Sequence, residues 1–117
     1  MRENKLVSLK GKNNFFHLLC QKKFFSSYWF DIFFEQFSEG DIFNLGIIVS
    51  KRTSRKATVR NYLKRITKEI FRKHVIESVK AGKCVIRFKR LPRESRPELF
   101  KKLRDTLISC FRNIQAH

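Results

Sequence analysis

Lys56-Ala57-Thr58-Val59-Arg60-Asn61-Tyr62-Leu63-Lys64-Arg65-Ile66-Thr67-Lys68-Glu69-Ile70-Phe71-Arg72 is the stretch from which the rest of the chain is read. With Val59 set at 0°, Leu63 falls at about 40°, Ile66 at about 340° and Ile70 at about 20°, one narrow apolar stripe at helical spacing. Arg60, Lys64, Lys68, Asn61, Arg72 and Arg65 fall between about 100° and about 240°, with Glu69 at the margin. This spacing predicts a helix from Ala57 to about His74, apolar on one side and cationic along the other. A helix with one apolar stripe must lie on another layer.

The flanking sequence supplies that layer. Upstream, Lys51 to Lys56 reads as a basic loop. Before it, Ile42 to Ser50 alternates Phe43, Leu45, Ile47 and Val49 against Ile42, Asn44, Gly46 and Ile48, a strand packed on both sides. Glu35 to Asp41 is an acidic turn. Tyr28 to Phe34 is an aromatic strand with Phe30, Ile32 and Phe34 on one face and Trp29, Asp31 and Phe33 on the other. These two strands are expected to form a hairpin. From Lys12 to Lys23 the positions Phe15, Phe16, Leu18 and Leu19 fit a short helix, with Asn13 or Asn14 as cap. Residues 1–11 read as a flexible N-terminal arm and residues 12–117 as one domain.

Downstream, Ala81-Gly82 breaks the helix and Cys84 to Phe88 is a third strand. Ser95-Arg96-Pro97-Glu98 is a capping box with Pro in the first turn. It opens a closing helix whose buried face is Leu99, Leu103, Leu107 and Ile114, flanked by Phe100, Cys110 and Phe111. The order α-β-β-α-β-α predicts an α+β fold: a single-domain two-layer sandwich with a small mixed sheet packed against helices.

Charge narrows the partner. The 117 residues carry 27 Lys and Arg against 10 Asp and Glu, a net +17. Residues 1–50 hold 6 basic and 5 acidic residues, net +1, and 11 of the 16 aromatics; residues 51–117 hold 21 basic and 5 acidic residues, net +16, with the other 5 aromatics. Such a surplus on a folded domain points to a polyanion. From Lys51 to Arg72 nine basic residues stand with one acid, and Arg60, Lys64 and Lys68 repel at i,i+4 spacing. A phosphate backbone would neutralise them and release counterions. The candidate nucleic-acid-binding residues, which the resemblance described below assigns to RNA, are Lys51, Arg52, Arg55, Lys56, Arg60, Asn61, Lys64, Arg65, Lys68 and Arg72.

Other chemistries find little footing. No paired carboxylates share a helix face, the three histidines are isolated, and His17 and Cys20 lack two further zinc ligands at a suitable spacing. No catalytic or metal-binding residue is assigned to the protein. Cys20, Cys84 and Cys110, odd in number and widely spaced, read as reduced, buried thiols of a cytoplasmic protein. Neither a signal-peptide core nor a run of about 18–20 apolar residues is present, so no membrane association is expected. Asp31, alone among aromatics, is expected to pair with the basic helix rather than hold a metal.

Val49-Ser50-Lys51-Arg52, then Lys56 to Arg65, then Lys68-Glu69-Ile70-Phe71-Arg72, resembles the signature of the bacterial ribonuclease P protein subunit. That signature is a strand ending Val-Ser-Lys-Lys, a short loop, and a helix carrying Arg-Asn-x-x-Lys-Arg-x-x-Arg-Glu-x-Phe-Arg. The likeness extends along nearly the whole chain. Tyr62 stands where the family most often has Arg, Lys68 where it has Arg, and the Thr53–Lys56 loop is one residue longer and lacks Gly.

The resemblance implies a protein, monomeric in a 1:1 ribonucleoprotein, that binds a catalytic RNA subunit and helps remove 5′ leaders from precursor tRNA. It also implies that Mg2+ is held by the RNA and that hydrolysis is the RNA's. In the family a cleft between the first helix and the sheet holds the single-stranded leader. Carried over, Phe15 and Phe33 match aromatic cleft positions, and Leu19 stands where a ring is common. Spacing alone leaves Phe15 and Phe33 open between core packing and base stacking. A ribosomal or other structural RNA-binding role is the alternative reading of the same charge.

Overall fold

The computed structural model of the protein describes residues 5–21, 23–79, 81–91 and 93–112. In chain order it contains β1 (Lys5–Ser8), α1 (Lys12–Leu19), β2 (Phe25–Ser26), β3 (Phe30–Gln36), β4 (Ile42–Val49), α2 (Ala57–Ile70), a π-helical turn (Phe71–Val75), α3 (Ile76–Val79), β5 (Gly82–Phe88) and α4 (Arg96–Arg112). The strands form one mixed sheet in the order β1-β4-β5-β3-β2. Alternation along the strands decides what each face receives. Phe30, Ile32, Phe43, Leu45, Val49, Cys84, Ile86 and Phe88 point to the main core, where they meet Leu63, Ile66 and Ile70 of α2 and Leu99, Leu103, Leu107 and Phe111 of α4. Phe33 and Val85 point the other way, to a smaller cluster with Leu9 and with Leu18 of α1. The expected sandwich of sheet and helices is thus built with α2 and α4 as its helical layer, and α1 covers part of the opposite face.

Several local expectations are corrected. Strands β3 and β4 are not a hairpin: β5 lies between them, antiparallel to β3 (Ile32 opposite Ile86) and parallel to β4 (Ile47 opposite Ile86). The reason is burial, since Cys84, Val85 and Ile86 are fully buried and only a central strand is covered on both faces. Residues 5–8 are not an arm but β1, paired parallel with β4 from Lys5 opposite Ile42 to Ser8 opposite Leu45. Leu6 packs on the main core, and the Leu9 amide donates to the Leu45 carbonyl at 2.9 Å. The remainder of the expected arm, residues 1–4, lies outside the described residues.

Helix α1 starts at Gly11, whose φ of 93° suits glycine, so Asn13 and Asn14, the expected caps, fall inside the helix by their backbone. The basic helix runs on past His74 to Val79. Continued at 3.6 residues per turn, Phe71, Val75 and Val79 would fall at about 120°, 160° and 200°, on the cationic side. All three are nevertheless buried, because this end of the helix packs against α4, and the wider π turn at 71–75 carries the residues after Phe71 part of the way back toward the apolar stripe. Ser95 does cap α4: its hydroxyl oxygen accepts from the Glu98 amide at 3.4 Å. Ile114, expected on the buried face of that helix, lies outside the described residues.

Candidate functional site

Helix α2 rests on Leu63, Ile66, Thr67 and Ile70. Thr67, absent from the predicted stripe, is buried because its hydroxyl donates to the Leu63 carbonyl one turn back at 2.6 Å. With the stripe turned inward, Asn61, Lys64, Arg65, Lys68 and Arg72 stand exposed, and the loop before the helix exposes Lys51, Arg52, Arg55 and Lys56. Arg60 differs from these. Half-buried, it donates from Nη1 to the Ser54 carbonyl at 2.8 Å and so holds the loop against the helix.

Two open concavities of about 380 Å³ each flank Arg65. One is lined by Leu6, Lys68, Glu69 and Arg72, the other by Thr58, Asn61, Tyr62 and Arg96. Tyr62, in the place of a customary Arg, lies between two guanidinium groups, Arg96 at 4.9 Å and Arg65 at 5.5 Å from its ring centre. Its hydroxyl donates to the Arg96 carbonyl at 3.3 Å. Arg96, which helical periodicity and charge did not select, thereby joins the cationic face from α4. Glu69 is held by Lys73 at 2.9 Å, and that ion pair keeps its carboxyl below the usual carboxylate range.

On the opposite face, α1 and β4 flank an apolar concavity of about 400 Å³ lined by Gly11, Phe15, Phe16, Leu19 and Ile48. Gly46 makes room for it. A Cβ there would stand 2.5 Å from the edge of the Phe15 ring, so glycine lets that ring approach β4 closely. Of the residues carried over from the resemblance, Phe15 and Leu19 line this groove and Phe33 does not. Only 2% exposed, Phe33 belongs to the cluster under α1, because its place in β3 directs it beneath the helix rather than beside it. The open ring is Phe16, 69% exposed, which helical spacing does not distinguish from its neighbours. An abundance of phenylalanine hid it, although exposure of so large an apolar side chain is the informative signal.

Beside this groove lies Asp31, fully buried. Its partners are not on α2, contrary to expectation, because β3 turns Asp31 to the face that α1 covers. Oδ1 accepts from the Ser26 hydroxyl at 2.6 Å and lies 2.9 Å from Lys89 Nζ. Oδ2 is 2.9 Å from Arg87 Nη2 and 3.5 Å from Lys23 Nζ. Burial alone would raise this carboxyl; the hydrogen bonds from Ser26, Lys89 and Arg87 outweigh burial and hold it well below the usual carboxylate range. Arg87 also stands over the Phe33 ring at 5.1 Å.

Of the three thiols, Cys84 is buried and its pKa raised by burial, Cys110 is half-buried and pushed up to about 11, and Cys20 is exposed at the end of α1. Among the described residues no three His, Cys, Asp or Glu side chains converge as a metal site would require, and no helix is long and apolar enough to cross a membrane.

The family profile for Ribonuclease P matches residues 4–114. The chain belongs to the ribonuclease P protein family. Its fold is that of solved members. The Staphylococcus aureus RNase P protein superposes with a TM-score of 0.70 at 20% identity, covering 88% of this chain and 93% of that one. The RNase P protein from Thermotoga maritima gives 0.67 at 26% identity, covering 92% and 97%. No curated protein matches in sequence. As a ribonuclease P protein, the chain has the single mixed α+β domain of that family, and α2 is the helix that carries the Arg60-Asn61 and Lys64-Arg65 signature.

Proposed function

We propose that this ribonuclease P subunit holds two RNAs at once. The exposed cations of α2 and of loop 51–56 grip the folded catalytic RNA, and the α1 groove receives the single-stranded 5′ leader of precursor tRNA. The observation that carries this reading is the separation of two unlike surfaces by one sheet. One is cationic and follows the phosphates of a folded RNA; the other is apolar and ring-lined, suited to stacking unpaired bases of any sequence. Loop 51–56 leaves β4 directly after Ile48 and Val49, so the two surfaces meet at that strand end. The protein contributes positioning and charge; Mg2+ is held by the RNA, which performs the hydrolysis, in the cytoplasm and with one protein per RNA.

Cleavage of precursor tRNA by the catalytic RNA at low magnesium, with and without the protein, tests this. Addition of protein should restore cleavage, and binding should favour leader-bearing over mature tRNA. An active RNA that gains nothing from the protein, together with equal binding of both tRNAs, would leave a structural RNA-binding protein with no part in cleavage.

A further inference from the structure

Two guanidinium groups from different helices gather about one tyrosine ring. Arg96 of α4 lies 4.9 Å and Arg65 of α2 lies 5.5 Å from the centre of the Tyr62 ring, and both residues are exposed. The two charges can be no farther apart than those distances together. Like charges so placed repel, and the attraction of each to the ring offsets only part of this. Among the described residues neither arginine forms an ion pair. The helix positions explain why. On α4 the neighbours of Arg96 at i+3 and i+4 are Leu99 and Phe100, while Glu98 lies about 200° round the helix from it. On α2 the acid at i+4 from Arg65 is Glu69, which Lys73 takes at 2.9 Å.

These groups border a notch between the two helices. Thr58, Asn61, Tyr62 and Arg65 fall at i, i+3, i+4 and i+7 along one face of α2, and with Arg96 they line an open concavity of about 380 Å³. Tyr62 ties the notch together twice. Its ring engages the Arg96 side chain, and its hydroxyl donates to the Arg96 carbonyl at 3.3 Å. The backbone of α4 adds little, because Pro97 has no amide hydrogen and the Glu98 and Leu99 amides donate to the Ser95 hydroxyl oxygen and carbonyl at 3.4 and 2.8 Å. What α4 brings to the notch is therefore the side chain of Arg96. Nor is the ring a platform for a base, since it is half-buried and engaged by both guanidinium groups.

We propose that Arg96 and Arg65 form a phosphate-binding notch for the backbone of a folded RNA, with Tyr62 as the positioning residue that holds Arg96 toward α2. This rests on the exposed side of α2 being an RNA surface, and it carries that surface on to a second helix. The ligand is a phosphodiester, because the notch offers two unneutralised guanidinium forks that match phosphate oxygens, beside the neutral side chains of Thr58 and Asn61. It is backbone rather than base, because the ring is already engaged. It belongs to a folded RNA, because α2 and α4 share one core and the fold itself sets the spacing of the two charges. Such a fixed spacing suits phosphates whose own spacing is fixed.

Binding of the catalytic RNA of ribonuclease P to the full-length protein, measured by filter retention between 50 and 300 mM salt, tests the notch. Arg96→Gln should lower affinity and flatten the salt slope by about 0.9 for each phosphate that the variant no longer neutralises. Lys101→Gln, which removes an exposed charge about 140° round α4 from Arg96, should leave the slope as it is. Tyr62→Leu should weaken binding and flatten the slope on its own, and have no further effect when combined with Arg96→Gln. Tyr62→Phe keeps the ring and should restore the slope that Tyr62→Leu loses. Native circular dichroism of each variant separates these losses from unfolding. An unchanged slope in Arg96→Gln beside a flattened one in Arg65→Ala overturns the notch and keeps α2 as the RNA surface. Equal flattening by Lys101→Gln and Arg96→Gln also overturns it, in favour of a diffuse field. Equal costs of Tyr62→Leu with and without Arg96→Gln, or a slope lost equally in Tyr62→Phe, overturn the positioning role of the ring. Unchanged slopes in both Arg65→Ala and Arg96→Gln overturn the RNA surface of α2 itself and the notch with it.

Discussion

Gly46 and Asp31 are two residues on which the α1 face depends, and they fail in different ways. Gly46→Ala would place a Cβ 2.5 Å from the outer edge of the Phe15 ring. That edge is the free end of a side chain at the groove, so the ring swings away and stability falls by only about 1 kcal/mol. The groove loses its floor at the same time. The expected result is a near-normal denaturation midpoint with several-fold weaker binding of single-stranded RNA. Asp31→Ala strands three cations, and because these reach water the cost is about 2 kcal/mol rather than the larger loss of a fully buried pair. The acid dependence follows from its lowered pKa. The Asp31 contribution is complete above about pH 4, the range of a free carboxyl, and is lost on further acidification as the unfolded chain takes up a proton the folded one refuses. Wild type should therefore lose stability more steeply than Asp31→Ala between pH 4 and pH 2 in urea denaturation.

At the scale of elements, α2 separates stability from binding on its two sides. Leu63→Ala empties a fully buried site and should cost about 2–5 kcal/mol in chemical denaturation. Arg65→Ala, on the exposed side, should stay within about 0.5 kcal/mol of wild type. It should nevertheless flatten the salt dependence of binding to the catalytic RNA by about 0.9 for each phosphate that Arg65 neutralises. These two sides were legible because helical periodicity and charge coincide over Val59 to Arg72. Ser95 was legible too, as a cap three residues before Glu98. Strand β1 was not: Leu6 packs on the core while Val7 and Ser8 stand exposed, and its partner strand begins at Ile42, far along the chain. The π turn escaped for a related reason, since a fixed angle per residue has no room for an extra one. The acidic turn read from Glu35 to Asp41 suggested a hairpin, but the connection from β3 to β4 instead steps over one intervening strand. Phe16 was missed because periodicity ranks apolar residues by face and says nothing of which lies beyond the reach of the core.

Across the whole molecule, a net charge of +17 on 117 residues opposes its own compaction. Added salt screens that repulsion over about 8–10 Å near physiological strength. The thermal midpoint of the free protein should therefore rise as sodium chloride increases from 10 to 200 mM, and more with phosphate, while a neutral osmolyte leaves this salt effect intact. A midpoint insensitive to salt would mean that self-repulsion among these charges does not limit the stability of the fold. The central place of β5 carries a different consequence, one of timing. During synthesis β3 and β4 emerge well before residue 82, and each has an open edge awaiting the same late strand. Until it arrives, Val85 is missing from beneath α1 and Ile86 from beneath α2. A nascent chain therefore displays neither of the two proposed RNA surfaces in finished form, and both await the late insertion of that strand.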